Sequence, residues 1–97
     1  MFTLRIEHAV PDFEAWKHAF DSNPVGRERG GVRRYQVLRA TDDPNYVMVD
    51  LDFDTAKAAR GFLEILRTQV WPSPEKAPAK TGTPTTRIVE LVESHEY

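Results

Sequence analysis

The sequence predicts an α+β fold with the element order βαββαβ, a four-stranded antiparallel sheet carrying both helices on one face. Three observations predict it. Residues 2–10 and 47–53 set an apolar row on one face with a period of two, the mark of half-buried strands, and residues 86–93 set Arg87, Val89 and Leu91 against Ile88, Glu90 and Val92. Phe13, Trp16 and Phe20, and later Ala58, Ala59, Phe62, Ile65, Leu66 and Val70, recur at helical spacing. The second and third strands are joined by a short turn, so they should pair as a hairpin.

In the first strand Phe2, Leu4, Ile6, His8 and Val10 share one face, against Thr3, Arg5, Glu7 and Ala9. Pro11 and Asp12 open the first helix, proline suiting its first turn and aspartate its cap. Phe13, Trp16 and Phe20 define the inward face of that helix. Pro24 and Gly26 end it. Gly30-Gly31 marks the next turn, and Val32 to Thr41 reads as strand two, with Tyr35, Val37 and Arg39 on one side. The turn formers of 41–45 then lead into Tyr46 to Phe53, the clearest strand in the chain. Asp54 or Thr55 caps helix two, whose apolar face includes Gln69. The stretch Trp71 to Pro84 holds four of the seven prolines and cannot be regular for long. Such a loop is a connector or a lid. Thr86 to Glu93 is strand four. Two split βαβ units of this length give a ferredoxin-like arrangement.

Residues 1–97 are expected to form a single domain. A formal net charge of -2 provides no global basic field for nucleic acid or an anionic membrane. The absence of cysteine excludes disulfides, thiolate metal sites and cysteine nucleophiles. No apolar run approaches the roughly 20 residues that span a bilayer, and no basic-then-apolar leader precedes strand one. A cytoplasmic location is the expectation. No histidine–carboxylate set has ligand spacing, so no metal is expected. With the apolar rows under the helices, the opposite sheet face carries Thr3, Arg5, Glu7, Tyr46, Met48, Asp50 and Asp52, with Arg5 able to pair with Asp50 or Asp52. A face mixing Tyr46 and Met48 with paired charges suits a second copy, so a twofold homodimer packed face to face is expected.

The segments His8-x-Val10-x-Asp12-Phe13-x-x-Trp16, Gly31-Val-Arg-Arg-Tyr35 through Asp42-Asp-Pro-Asn-Tyr46, and the strand from Val47 to Phe53 leading into helix two resemble the dimeric α+β barrel superfamily, and within it small proteins of the antibiotic-biosynthesis-monooxygenase type. The resemblance spans most of the chain. It implies a ligand held between helices and sheet within one subunit. It also implies an activity of the cofactor-free oxygenase, isomerase or cyclase kind on an aromatic or polyketide-like metabolite, with no cofactor. The haem-degrading branch resembles the chain in fold but not in site: strand one has His8 where that branch has asparagine, and residues 56–84 contain no histidine.

His8 is the candidate catalytic residue, since an imidazole takes a proton from a phenol, an enol or an activated C–H near neutral pH. The plainer reading is a strand-end histidine bonded to backbone or water. Trp16, Phe62 and Trp71 are candidates to line a substrate site, though aromatics at helical spacing are more often core. Gln69 and Tyr35 are candidates to orient a substrate oxygen. Arg39, on the same strand face as Tyr35, could likewise hold an oxyanion, but solvation of an edge strand is the favoured reading. Three functions remain open: an enzyme of this kind, a non-catalytic small-molecule binder or accessory protein, and a dimer module whose interface is filled by its own side chains.

Overall fold

A computed structural model describes residues 1–23, 26–72 and 84–97. Its elements are β1 (Phe2–Ala9), α1 (Phe13–Asp21), β2 (Arg34–Ala40), β3 (Asp43–Phe53), α2 (Ala56–Ile65), which runs on into a π-helical turn at Leu66–Val70, and β4 (Thr85–Glu90). The sheet order is β2-β3-β1-β4, with all three pairings antiparallel. This is the predicted ferredoxin-like α+β arrangement.

Period-two alternation places the core. Leu4 and Ile6 of β1 and Val47, Val49, Leu51 and Phe53 of β3 are buried, together with Trp16 of α1 and Ala59, Phe62 and Leu63 of α2. Both helices therefore cover the same sheet face. Each starts on a side-chain cap: Asp12 accepts from the Ala15 amide at 3.0 Å and Thr55 from the Ala58 amide at 3.1 Å, satisfying donors that the first turn leaves open.

Several boundaries differ from the sequence reading. Strand two was expected at Val32–Thr41 and is Arg34–Ala40. The turn expected over 41–45 closes tighter, because Ala40 pairs with Asp43 across a register shift at Arg39/Ala40. That makes residues 43–45 strand rather than turn. Pro44 is tolerated there because the β1 pairing of β3 begins only at Tyr46, opposite Ala9, so its missing N–H breaks no bond to β1. Strand four was expected at Thr86–Glu93 and stops at Glu90, opposite Phe2. Beyond it the Leu91 amide continues the pairing, donating to the Met1 carbonyl at 3.0 Å.

The largest correction is at the end of α2. Gln69 was placed on the apolar face by counting 100° per residue. In the structure it is exposed, while Val70 is 6% exposed. The turn over 66–70 is π-helical, with the Trp71 amide donating to the Leu66 carbonyl at 2.9 Å. An i→i+5 turn is wider than an α-turn, so helical spacing mispoints the residues within it.

The uncovered face matches its sequence reading closely. Arg5 grips Asp50 with two bonds of 2.8 Å. Asp52 accepts from the Thr3 hydroxyl at 2.6 Å and the Arg34 guanidinium at 2.9 Å. Tyr46 donates to Glu7 at 3.2 Å. The Asp50 bond holds the Arg5 guanidinium even more firmly charged than usual, and burial followed by the Glu7 contact raises Tyr46 above the ordinary phenol range. Met1, Leu38, Val89 and Leu91 lie exposed around this polar network. On the β4 side Arg5 stands directly opposite Arg87.

Candidate functional site

The site grows from the β1–α1 connection. His8 is the last inward residue of β1, in register with Val47 of β3, and is only 9% exposed. The Val10 amide donates to the Asn45 carbonyl at 2.7 Å, and the Phe13 amide donates to Asn45 Oδ1 at 3.1 Å. One asparagine at the start of β3 thus ties the end of β1 and the first turn of α1 together. That tie brings the first aromatic of α1 over the end of the sheet.

The Trp16 indole meets the His8 imidazole edge-on, at 6.1 Å between centroids and 70° between planes. From Trp16 the rings continue in two directions. Phe13 lies at 5.8 Å, and Phe20 stacks at 5.2 Å with 27° between planes. Phe20 in turn meets Tyr35 of β2 at 5.2 Å, edge-on. Two guanidiniums cover the ends of this row. Arg39 lies 4.5 Å above the Phe13 ring. Arg27 lies 4.0 Å from the Phe20 centroid and 4.9 Å from that of Tyr35, and donates to the Phe20 carbonyl at 2.9 Å. Arginine over an aromatic face is attractive, so each ring at an end of the row is capped by a cation.

The structure brings His8, Trp16 and, through Phe20, Tyr35 into one cluster. It does not bring Phe62 there. Phe62 packs at 5.6 Å on Phe53, which pairs with Phe2 at the opposite end of β1. A Cβ on Gly30 would fall 2.5 Å from its ring. Phe62 is therefore core, 3% exposed. Trp71 is half-buried against the core at the end of the π-turn, and Gln69 faces outward. The segment Trp71–Pro84, expected to cover a site entrance, lies outside the described residues from 73 to 83. Among the described residues no group of three or more His, Asp or Glu side chains is placed to hold a metal ion, and no helix is long and apolar enough to cross a membrane.

Sequence reasoning missed Asn45, read only as a turn former, and gave Arg27 no role. Their roles depend on pairings 32 and 7 residues apart, which no local pattern encodes. Leu63 was likewise absent from the expected apolar face of α2, yet is buried.

A sheet of this order with two helices on one face, the other face open, defines a ferredoxin-like α+β protein. The chain is similar in structure to a dimeric ferredoxin-like protein from an uncultured marine organism, at TM-score 0.72 and 13% identity over 97% of each chain. It is similar to a protein described as a candidate antibiotic biosynthesis monooxygenase from Nitrosomonas europaea, at TM-score 0.70 and 20% identity over 94% of this chain and 89% of that one. SnoaB, a cofactor-independent oxygenase from Streptomyces nogalater, matches at TM-score 0.69 and 16% identity over 96% and 94%. The resemblance carried by residues 8–16 and 31–53 is thus matched at the level of fold. No protein-family model matches the chain, and no curated protein matches it in sequence.

Proposed function

We infer that the chain is a small enzyme that acts on an aromatic or polyketide-like molecule without a bound cofactor, with His8 as general base. One observation carries this reading: a buried imidazole stands edge-on to a tryptophan at the end of an otherwise apolar strand row. A base in such surroundings suits proton removal from a weakly acidic carbon or hydroxyl. The fold likeness to a cofactor-independent oxygenase favours oxygenation over isomerisation or cyclisation. His8 would take the proton of a phenol, leaving an electron-rich phenolate that dioxygen oxidises. One oxygen atom enters the ring as the new quinone carbonyl and the other leaves as water, so the substrate supplies all four electrons. Trp16 and Phe13 would flank the substrate plane, and Tyr35 would orient an oxygen from the far end of the cluster.

A second reading is a non-catalytic binder or accessory protein. It is favoured by the stacking of Trp16 on Phe20 and by the place of Trp16, 8% exposed, within the core, which give that ring a packing role of its own. Oxygen uptake with a panel of polycyclic phenols separates the two. The enzyme reading expects turnover that falls about 10²- to 10⁴-fold in His8→Gln, the range of general-base catalysis. Binding without turnover in the wild type would leave the second reading standing.

A further inference from the structure

Arg39 stands out among the cations of the site. On β2 it is in register with Val47, and Val47 is in register with His8 on β1. The three therefore form one row across the helix-covered face, with Arg39 and His8 about 10 Å apart at Cα from the strand spacing. The Arg39 guanidinium lies over Phe13, and Phe13 leads through Trp16 to His8. A cation and an imidazole thus bracket two rings. The register shift of the β2–β3 hairpin falls at Arg39 and Ala40, and irregularities of this kind re-aim side chains beside functional sites.

The charge of Arg39 is also left open. Arg5, Lys17, Arg33 and Arg34 each meet a carboxylate within 2.8 Å. Among the described residues no carboxylate comes within ion-pair distance of Arg39. Asp42 and Asp43 follow it in the hairpin, and Asp43 Oδ1 accepts from the Asn45 amide instead. Arg27, the other guanidinium over the cluster, is already committed to the Phe20 carbonyl and two rings.

We propose that Arg39 is a specificity-determining anion anchor, and that the site takes a planar aromatic molecule bearing a carboxylate at the end remote from the reacting position. The proposal rests on the reading of His8 and Trp16 as a ligand site and narrows its substrate class. The anchor lies beyond Phe13 while the base lies beyond Trp16, so the anion it holds is not the oxygen that His8 deprotonates. A guanidinium pairs with carboxylate through charge-assisted bonds, and this one lies over the Phe13 ring.

The test uses two nearly isosteric probes, 2-naphthoate and 2-naphthamide, titrated against the full chain. Tryptophan fluorescence reads affinity and the His8 imidazole NMR signals report position. Naphthoate is expected to bind at least tenfold more tightly at low salt, with both probes shifting the His8 signals. That preference should shrink in about 0.5 M salt, where the Debye length falls to a few ångströms. Arg39→Gln should abolish it with naphthamide affinity unchanged, and Arg39→Lys should retain part of it. Arg39 is exposed, so both variants should fold. Equal affinities in the wild type, or a preference that survives Arg39→Gln, would overturn the anchor and leave the aromatic site intact. Binding that leaves the His8 signals unmoved would place the probe elsewhere and overturn it too. Failure of both probes to bind would remove the aromatic site itself, and the anchor with it.

Discussion

At the scale of single residues, close approach decides more than chemistry does. Gly30 is required because the Phe62 ring occupies the space a Cβ would take, 2.5 Å away. Phe62 is 3% exposed and has nowhere to retreat. Gly30→Ala is therefore expected to lose about 1–3 kcal/mol, the usual cost of overpacking. Thermal denaturation followed by circular dichroism should show a drop of several degrees; an unchanged midpoint would mean that the ring moves freely. Gly31 has a different reason, its positive φ of 95°, which a side chain would strain. The aspartates of the open face follow a third logic. Asp50 and Asp52 are 9% and 6% exposed, and each is neutralised by an arginine on a neighbouring strand, so burial leaves no uncompensated charge. The exposed arm of each pair keeps the gain modest.

At the scale of elements, one side chain joins β3 to the connection between β1 and α1. Asn45→Ala would strip the acceptor from the Phe13 amide, costing about 1 kcal/mol, and would loosen the placement of Trp16 against His8. Asn45→Asp keeps the oxygen and should melt close to wild type. If the alanine variant proved equally stable, the tie would have no structural weight. The elements themselves were largely legible in the sequence. Period-two rows gave the strands, and Asp12 and Thr55 marked the helix starts, because those signals are local. The cross-strand partners Arg5 and Asp50 followed once β1 and β3 were placed side by side. What escaped was whatever departs from ideal geometry: the register shift beside Arg39 and the π-turn that carries Gln69 outward. Of the candidate site, His8 and Trp16 were readable together because they lie eight residues apart across one turn. Phe62 was misjudged as a neighbour because strand direction, not sequence pattern, sends it to the other end of the sheet.

At the scale of the whole molecule, the open sheet face is where a second copy is expected to pack. Met1, Leu38, Val89 and Leu91 are exposed there, around a polar network already satisfied within the subunit. Light scattering with size-exclusion chromatography is expected to give about twice the 11.1 kDa chain mass, with Met48→Lys shifting the protein toward monomer. A wild type monomeric at all concentrations would show that the face meets water. The seam between β1 and β4 has a dynamic consequence. β4 is an outer strand, its inward Ile88 is only half-buried, and its centre sets Arg87 against Arg5, a like-charge opposition that weakens pairing. Local opening therefore begins there, and the β4 amides should exchange hydrogen before those of β3. Each such opening bares the backbone edge of β1, a strand with one apolar face, to pairing with a foreign strand. Detachment of this one strand therefore opens a route to aggregation that does not wait for global unfolding.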